Sequence, residues 1–428
     1  MNKQTVKDIN FAGKRVLMRV DFNVPMKDGV VGDDTRIKAA LPTIKYVLEN
    51  GAKSLVLMSH LGDPKKDTQK AQEKADKEGK PFDAKKYSDG KHKMAPVAAH
   101  LAKLLGKDVA FSPTLVGAEA DAVVNGLAKG GIVLLENTRF DKRETSKEVA
   151  DREALAKELA KYGDVFVNDA FGTAHRAHAS TTDVAKFLPA CVGFLMEKEL
   201  TFLSKVALNP EKPFAAILGG AKVSDKILVI EKLMEKCQIL IIGGGMAYTF
   251  LKAKGESIGN SLLEADRVEL AKQLMEKAAA KGIKLVLPVD HVCAKEFGSA
   301  DTQIQKQVQE GWSGLDVGPE TIKLFKDVLK DAKTVLWNGP VGVFEMAPYA
   351  NGTKELAEFL GNLKALVVVG GGDSAAAAKK FGVAEKLTHV STGGGASLEY
   401  LEGKELPGIA IIPEKKATHS CCSCGGCH

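Results

Sequence analysis

The sequence lacks the segments that would direct a chain into a membrane or out of the cell. No apolar run among its 428 residues is long enough to span a bilayer, and the N-terminal stretch MNKQTVKDINFAGKRV has no apolar core of the kind found in secretory signals. A transit peptide and a terminal Ser-Lys-Leu are also absent. We therefore expect a cytoplasmic protein that has no membrane partner.

Cysteine is scarce outside the end of the chain. Cys191, Cys237 and Cys293 are scattered, which fits a reducing compartment and not a disulfide framework. The other four cysteines lie in the tail HSCCSCGGCH (419–428), with a Cys-x-x-Cys spacing. One short tract does not make a folded zinc module, and the sequence leaves open whether this tail binds metal.

The chain also lacks a strong charge of either sign. Its 60 basic and 54 acidic residues give a net charge of +6, which suits small anionic ligands better than nucleic acid. The 45% of hydrophobic and 27% of charged residues are typical of a globular protein. Because 428 residues are too many for one core of usual size, we expect two or three domains.

Short apolar runs alternate with longer amphipathic stretches through most of the sequence. The runs are rich in Val, Ile and Leu without clean alternation, as in strands buried on both faces. This pattern predicts βα units and parallel sheets, hence an α/β fold. The predicted strands are 15–20, 54–59, 131–136, 164–169, 214–218, 239–243, 284–289, 334–339, 366–370 and 388–392.

The residues that follow these strands differ between the two halves of the chain. In the first half they are polar or basic: Asp21, Asn23, His60, Arg139, His175 and Arg176. In the second half they are glycines: 219–220, 243–245, 370–372 and 393–395. Ligands of open α/β sheets bind at the carboxyl ends of the strands. The first half therefore suits a small anion, and the second suits a phosphate chain that approaches backbone amides at helix N-termini.

A glycine run after a strand has a structural alternative, a tight turn with close helix packing. Three triplets and one Gly-Gly in the same half favour phosphate or nucleotide binding. A dinucleotide fold would require G-x-G-x-x-G after its first strand, and none of these turns supplies it there. A nicotinamide-dependent oxidoreductase is therefore the second alternative for the function.

The stretch LGGAKVSDK (218–226) is similar to a phosphate-binding loop but breaks its rule. A P-loop ends in Gly-Lys-Ser/Thr, whereas here Lys222 and Lys226 follow Gly219-Gly220. The spacing predicts both lysines on one helix face, where like charges destabilise a helix by about 0.2–0.5 kcal/mol unless an anion binds them. In the structural alternative Asp225 neutralises Lys222.

Two further patterns have a binding and a structural interpretation. In DAFGTAHRAHAS (169–180) the spacing of His175 and His178 permits zinc, but no third ligand stands nearby and Arg176 would repel a cation, so an arginine clamp for an anion is favoured. Asp373 is predicted at a helix start, as an N-cap, a Mg²⁺ ligand or both. Glu345 is either a surface acid or an acceptor for a ribose hydroxyl.

Together these motifs resemble those of the phosphoglycerate kinases. The matching stretches are RVDFNVP, TRIKAA, SHLG, LLENTRF, DAFGTAHRAH, GGAKVSDK, GGGMAYTF, LPVDHV, WNGPVGVFE, GGGDSAAAA and STGGGASLE. The resemblance implies a monomer of two Rossmann-like three-layer α/β domains, each with a parallel sheet, joined by hinge helices. It also implies reversible Mg²⁺-dependent phosphoryl transfer between ATP and the carboxylate of 3-phosphoglycerate, a step of glycolysis and gluconeogenesis, with closure of the two domains.

The same resemblance implies domain limits and site residues. Residues 1–188 would bind phosphoglycerate, 189–405 would bind the nucleotide, and 406–428 would return to the first domain and end in the cysteine-rich tail. The implied phosphoglycerate site is Asp21, Phe22, Asn23, Arg36, Ser59, His60, Arg139 and Arg176. The implied nucleotide site is Gly220, Ala221, Lys222, Lys226, Gly244, Gly314, Asn338, Glu345, Gly371, Gly372, Asp373 and Ser374, with Asp373 on Mg²⁺. The implied catalytic residues are Arg36, Lys222, Lys226, Gly371 and Gly394.

The sequence departs from the family pattern at Asp63, where the family usually has arginine in SHLGRP. A charged hydrogen bond is worth about 1.5–3 kcal/mol, so we expect weaker phosphoglycerate binding unless Lys65 or Lys66 reaches the substrate. The lysine-rich stretch 63–93 is longer than in most members and is interpreted as a solvated excursion. Asp63 also leaves a third alternative, a catalytically silent relative kept for binding partners.

Overall fold

The computed structural model describes residues 2–27 and 29–415, which form two compact units. The N-unit consists of the described residues up to Lys198 and from Leu406 onward, and the C-unit is Glu199–Glu405. The domain limits that the resemblance implies, 1–188, 189–405 and 406–428, stay a prediction. The tail cysteines lie outside the described residues. Within the described ranges, no helix is long and apolar enough to cross a membrane.

A parallel sheet of six strands forms the centre of the N-unit. The N-unit strands are β1 (Arg15–Val20), β2 (Met26–Lys27), β3 (Val30–Val31), β4 (Ser54–Met58), β5 (Ala110–Phe111), β6 (Gly131–Leu134), β7 (Val165–Asp169) and β8 (Ala190–Val192). The sheet order is β5-β6-β4-β1-β7-β8, while β2 and β3 pair separately and antiparallel. Strand β1 pairs on both sides and is buried beyond its first residue, which explains its continuous apolar run.

The N-unit helices bury their apolar faces against this sheet. They are α1 (Thr35–Glu49), α2 (Pro64–Glu78), α3 (Ala84–His92), α4 (Ala95–Leu105), α5 (Ala118–Asn125) and α6 (Val149–Ala160), and α7 (Phe194–Ala207) contains the border with the C-unit. Ile37, Ile44 and Val47 of α1 share one core with Val97 and Leu101 of α4. This spacing of apolar residues is that of one helix face.

The stretch 63–93 forms helices α2 and α3. Helix α2 begins where the Asp63 carboxylate accepts the Lys66 backbone N–H at 3.2 Å, and it ends at Gly79, whose φ of 63° is left-handed. Pro64 is the one buried residue of α2, and His92 is the one buried residue of α3. Most of the stretch is therefore exposed to solvent, but Pro64 and His92 near its two ends are packed.

A second six-stranded parallel sheet forms the centre of the C-unit. The C-unit strands are β9 (Phe214–Leu218), β10 (Ile239–Ile242), β11 (Lys284–Val286), β12 (His291–Ala294), β13 (Gln303–Gln305), β14 (Ser313–Val317), β15 (Thr334–Asn338), β16 (Leu366–Gly370) and β17 (His389–Val390). The order is β11-β10-β9-β15-β16-β17, and β13-β12-β14 form a separate antiparallel sheet. Counted from β9, this is the order 3-2-1-4-5-6 of nucleotide-binding α/β folds.

Short helices flank the strands of the C-unit. They are α8 (Ile227–Leu233), α9 (Ala247–Ala253), α10 (Val268–Ala280), α11 (Pro319–Leu329), α12 (Asn351–Asn362), α13 (Gly372–Lys380) and α14 (Gly395–Leu401), and α15 (Pro407–Ala410) belongs to the N-unit. Single 3-10 turns lie at Val6–Asp8, Thr138–Phe140, Phe171–Thr173, Asp183–Lys186, Ala265–Arg267, Ala347–Tyr349 and Ala384–Lys386. Trp337 and Phe325 are fully buried in the core beside β15.

The predicted α/β fold with parallel sheets in two units is confirmed, and each of the ten predicted strands is present. The predictions for 284–289 and 388–392 were too long, since β11 ends at Val286 and β17 is two residues long. Strands β5 and β8 were missed because two or three residues are too few to show a period. The sheet β13-β12-β14 was missed as well, because its strands are short and partly exposed.

Candidate active site

Side chains of the predicted acceptor site follow four neighbouring strands of the N-unit. Residues 21–23 follow β1, Ser59 and His60 follow β4, Arg139 lies beyond β6, and Arg176 lies beyond β7. Because β6, β4, β1 and β7 are adjacent in that order and parallel, their carboxyl ends meet at one edge of the sheet. The structure thus brings these residues to the same edge.

Asp21 and Arg36 form an ion pair at this edge. Arg36, in the first turn of α1, donates from Nη1 to Asp21 Oδ2 at 2.8 Å, and the Asp21 side chain is almost completely buried. Asp21 Oδ1 also accepts the Asn23 backbone N–H at 3.3 Å. The carboxylate therefore orients the guanidinium and leaves its other N–H groups free to bind an anion.

Phe22 and Ser59 are both fully buried, in contrast to the other predicted acceptor-site residues. The Phe22 backbone N–H donates to Ser59 Oγ at 2.9 Å, and Ser59 Oγ donates to the His60 carbonyl at 3.0 Å. These bonds join the loops after β1 and β4. The Phe22 backbone and the Ser59 hydroxyl thus hold the edge together, and the role of these two residues in substrate binding stays a prediction.

His60 is buried beside the guanidinium of Arg19. Arg19 Nη2 lies 3.2 Å from His60 Nδ1, and because a guanidinium can only donate, Nδ1 is the acceptor and Nε2 carries the proton. Burial, followed by the charges of Arg19 and Arg139, holds the pKa of His60 well below its ordinary value. His60 is therefore a neutral N–H donor at neutral pH.

Arg19 is a site-supporting residue that the sequence did not single out. Its Nε donates to Ser180 Oγ at 2.9 Å, and Ser180 Oγ donates to Glu144 Oε1 at 2.6 Å. Arg19 and Glu144 are both fully buried. Ser180 bridges the guanidinium and the carboxyl group, and the charge of Glu144 offsets part of the cost of burying Arg19. The signal that could have identified Arg19 is its position as a charged residue inside the apolar run RVLMRV.

Arg139 contacts the loop that follows β4. Its Nη1 donates to the Gly62 carbonyl at 2.8 Å, and the same atom lies 3.9 Å from Asp63 Oδ2. Asp63 therefore places a negative charge next to an arginine of the candidate site, as its position in the sequence suggested. The same carboxylate is also the N-cap of α2.

A cavity of about 1210 Å³ lies next to Arg139. Arg176 and His178 line it together with Arg139 and with lysines of the stretch 63–93, among them Lys65 and Lys66. His178 is 8% exposed, and within the described chain its Nδ1 has no hydrogen-bond partner. Burial and the charges of Arg139 and Arg19 lower the pKa of His178 to about 3, so this imidazole is neutral.

The zinc alternative for the two histidines finds no support in the geometry. Across the part of the chain that the structure describes, no group of three or more His, Cys, Asp or Glu side chains is placed to hold a metal ion. Arg176 donates from Nε to His175 Nε2 at 3.1 Å, which occupies one ring nitrogen that a metal would need.

The C-unit holds a cavity of about 480 Å³ at the carboxyl ends of its strands. The cavity is next to the switch point of the sheet, where β9 and β15 are neighbours and the strand order reverses. Six residues of the predicted nucleotide site line it: Gly220, Ala221, Gly244, Gly314, Glu345 and Asp373. Apolar residues that were not predicted also line it, among them Tyr248, Leu262, Phe297 and Val341.

Two glycines give this cavity its shape. A Cβ on Gly314 would lie 2.8 Å from Tyr248 Cε1 and closer still to the phenol oxygen, so any side chain there would displace the ring. Gly244 has a φ of +66°, and a Cβ there would lie 2.7 Å from the Gly220 backbone nitrogen. The loops after β9 and β10 can therefore approach each other, and strand β14 can approach Tyr248 of α9, only with glycine at these two positions.

Lys226 and Asn338 meet beside this cavity. Lys226 Nζ donates to the Asn338 carbonyl at 3.0 Å and to Asn338 Oδ1. Burial lowers the pKa of Lys226 to about 8, against the opposing charges of Asp373 and Asp225. Asn338 is buried, and among the described residues its Nδ2 has no acceptor. A cation and an unpaired N–H at one point suit a phosphate oxygen.

The prediction that Lys222 and Lys226 share a helix face is wrong. Helix α8 begins at Ile227, with Lys226 as its N-cap, and Lys222 lies four residues earlier in an irregular turn. The turn bends back on itself because Lys226 N–H donates to the Val223 carbonyl at 2.9 Å. The two lysines are therefore not one helical turn apart, and the exposed Lys222 does not line the cavity.

The prediction of Asp373 as an N-cap is also wrong, because Gly371 occupies that position with a φ of 88°. Asp373 lies in the first turn of α13, exposed, where its charge is favourable near the positive end of the helix. Ser374 is buried, and its Oγ accepts the Gly339 backbone N–H at 2.5 Å. Gly394, with a φ of 52°, is the N-cap of α14.

Asp316 is a buried carboxyl group in the wall of the cavity that the sequence did not single out. It accepts the backbone N–H of Gly352 at 2.7 Å and of Val317 at 2.9 Å. Burial nevertheless raises the pKa of Asp316 to about 7. Asp316 lies in a five-residue strand whose residues are buried or half-buried, and no pattern in the sequence marked it.

Known proteins match this chain over nearly all of its length. The family model described as phosphoglycerate kinase matches residues 6–404. A phosphoglycerate kinase of Fervidobacterium nodosum is 53% identical over 423 residues, covering 97% of this chain and 100% of the relative. One of Thermosipho africanus is 52% identical, with 97% and 99% coverage. The solved phosphoglycerate kinase structure from Coxiella burnetii has a TM-score of 0.81 at 40% identity, covering 96% of this chain and 98% of that one.

Two parallel α/β sheets, with ligand-sized cavities at their carboxyl edges and this set of relatives, define the class: an enzyme that transfers a phosphoryl group to a carboxylate. Within this class the chain belongs to the phosphoglycerate kinase family. The family name indicates a kinase of glycolysis that uses small-molecule substrates.

Proposed function

We propose that this chain transfers a phosphoryl group reversibly between ATP and the carboxylate of 3-phosphoglycerate, giving ADP and 1,3-bisphosphoglycerate. The observation that carries the proposal is the set of oriented donors at the N-unit sheet edge. Arg36 is held by Asp21, Arg139 is held by Gly62, and His60 presents a neutral N–H. Such a set binds a phosphate and a carboxylate on one small molecule.

The acceptor requires no general base. Kinases that act on a hydroxyl need a residue such as aspartate to take its proton, but a carboxylate is already ionised at neutral pH. Asp21 accordingly forms an ion pair with Arg36, in which it orients the guanidinium. The enzyme has to position two anions and neutralise the charge on the group in transfer. We assign that neutralisation to Arg36, Lys222 and Lys226.

The nucleotide would occupy the C-unit cavity. Its base would lie among Tyr248, Leu262 and Val341, beside Gly314, and its ribose near Glu345. The phosphates would contact Lys226, the unpaired Asn338 Nδ2, and the backbone N–H groups at the starts of α13 and α14, around Gly371, Gly372 and Gly394. Bound phosphate would raise the pKa of Lys226 and keep it charged.

The residues at this site fit a magnesium–nucleotide complex. Asp373 is exposed and lines the nucleotide cavity, and Mg²⁺ on a nucleotide usually takes one or two carboxylates plus phosphate oxygens and waters. Asp373 is thus the residue that we propose holds Mg²⁺. When bound, the metal supplies positive charge to the phosphates.

Several wider properties of the family are part of the proposal. We propose a monomer with domain limits at 188/189 and 405/406, joined by hinge helices and located in the cytoplasm, with no nucleic-acid partner. The acceptor site and the nucleotide site belong to different units, so we propose that closure brings the two substrates together. Closure would also exclude the water that would otherwise take the phosphoryl group.

A coupled assay tests the proposal. Purified protein is mixed with ATP, Mg²⁺ and 3-phosphoglycerate, and bisphosphoglycerate is followed through its reduction by NADH. We expect turnover that depends on all three components. ATP binding without turnover would contradict the proposal and favour a catalytically silent relative. Binding of NAD at millimolar concentrations, measured separately, would favour a nicotinamide-dependent oxidoreductase.

A further inference from the structure

Helices α2 and α3 together form a hairpin, here called the insert (residues 64–92). Its surface is lysine-rich and mostly exposed, yet its last residue, His92, is fully buried. His92 Nε2 lies 3.0 Å from Asp67 Oδ2, and its Nδ1 lies 3.4 Å from Ser88 Oγ. The imidazole therefore ties the end of α3 to the first turn of α2.

This His92–Asp67 pair packs directly on Gly62. A Cβ on Gly62 would lie 2.7 Å from His92 Cδ2 and 3.0 Å from Asp67 Oδ2, and Gly62 has a φ of +62°. Asp67 Oδ2 also accepts the Asp63 backbone N–H at 3.2 Å. The pair thus fills the space behind the loop that follows β4.

The other side of the Gly62 backbone belongs to the candidate acceptor site. Its N–H donates to Asn23 Oδ1 at 2.8 Å, and its carbonyl accepts Arg139 Nη1 at 2.8 Å. A second connection reaches the same arginine through Asn137. Asn137 Nδ2 donates to the His92 carbonyl at 2.9 Å, and Asn137 Oδ1 accepts the Arg139 backbone N–H at 3.1 Å.

We propose that the insert braces the acceptor site, with Asp67 and His92 as positioning residues that hold Gly62 and through it Asn23 and Arg139. The inference rests on the proposed function for its kinetic consequence. In this proposal the insert affects substrate binding through its packing on Gly62, and not through the charge of its lysines. In this way the chain keeps Arg139 oriented although Asp63 stands next to it.

Two substitutions and a matched control test the brace. We expect His92→Ala and Asp67→Ala to raise the KM for 3-phosphoglycerate about fivefold or more, with the KM for ATP unchanged. Asp67→Asn keeps an acceptor for the Asp63 N–H and should restore a KM close to that of the wild type. Asp89→Ala removes the 2.5 Å ion pair to Lys85 on the same hairpin and should leave both KM values unchanged.

Amide hydrogen exchange of the full chain gives a readout that does not need turnover. In His92→Ala and Asp67→Ala, the peptide that contains Gly62 should exchange about tenfold faster, and in Asp89→Ala it should not. Unchanged exchange in both variants overturns the brace. So does a higher KM in Lys65→Ala/Lys66→Ala without one in Asp67→Ala, because the insert would then act by charge. Faster exchange in a protein that never turns over would uphold the brace and reject the proposed function.

Discussion

Single buried side chains decide what each candidate site can bind. Burial, followed by the charges of Arg19 and Arg139, keeps His60 neutral, and Lys226 lies beside Asn338 where burial makes a cation costly. The Lys226 ammonium is therefore less stable in the free protein than it would be with an anion bound. Activity and stability should respond in opposite directions when Lys226 is changed.

Lys226→Met tests this opposition between activity and stability. We expect kcat for phosphoryl transfer to fall about 10²–10³-fold, because one preorganised cation is lost. The midpoint of thermal unfolding without ligand should stay the same or rise, because a partly desolvated charge is removed. Lys232→Met on the same helix, which removes only an exposed pair with Glu235, is the control. A loss of both activity and stability would contradict the account.

His178→Gln tests the neutral imidazole in the acceptor site. The pKa of His178 is about 3 in the folded chain, so between that value and the ordinary pKa of 6.5 the unfolded chain binds more protons. Its contribution to stability is therefore present above pH 6.5 and is lost as the pH falls towards 3.

Urea unfolding of wild type and His178→Gln between pH 7 and 4 measures this difference, within the range in which the native fold persists. The free energy of unfolding of the wild type should fall more steeply with acid than that of the variant. Parallel curves would show that His178 is not a buried neutral group.

At the scale of elements, most residues of the two candidate sites lie in loops that follow strands. Asp63 shows how one loop residue serves two purposes, since it caps α2 and lies 3.9 Å from Arg139. Replacing it by the arginine usual in the family would therefore remove a cap while it adds a positive charge. A substitution that removes the charge but keeps the cap separates the two effects.

Asp63→Asn keeps the cap and removes the charge. We expect the KM for 3-phosphoglycerate to fall by up to about fivefold, since a partly exposed pair is worth roughly 0.2–1 kcal/mol, with stability unchanged. Asp63→Arg should lower the KM further but cost about 0.5–2 kcal/mol in unfolding free energy through the lost cap. Kinetics and urea titration of both variants measure these changes. An unchanged KM in both would mean that the charge at this position does not act on the substrate.

The sequence predicted ten of the twelve strands in the two parallel sheets, because strands buried on both faces leave apolar runs. It did not predict that the chain turns between Lys222 and Lys226, because a backbone bond from Lys226 to Val223 leaves no trace in residue types. Arg19 and Asp316 were missed for a related reason, since Ser180 and Gly352, to which they are hydrogen-bonded, are distant in sequence. The packing of His92 on Gly62 likewise depends on contacts 30 residues apart.

At the scale of the whole molecule, each unit repeats one plan, a six-stranded parallel sheet with its candidate site at the carboxyl edge. In the N-unit that edge carries arginines and a neutral histidine, and in the C-unit it carries glycines and a buried lysine. Transfer between a small anion and a nucleotide requires two such sites, one for each substrate. In the proposed reaction the acceptor is a carboxylate.

Hydroxylamine trapping tests that claim most directly, because hydroxylamine converts an acyl phosphate, but not a phosphate ester, into a hydroxamate. The enzyme is incubated with ATP, Mg²⁺, 3-phosphoglycerate and hydroxylamine, and ADP and hydroxamate are both measured, with Lys226→Met as the control. The account predicts one hydroxamate for each ADP released by the wild type and almost none from the variant. ADP release without hydroxamate would show transfer to a hydroxyl group or to water and would contradict it.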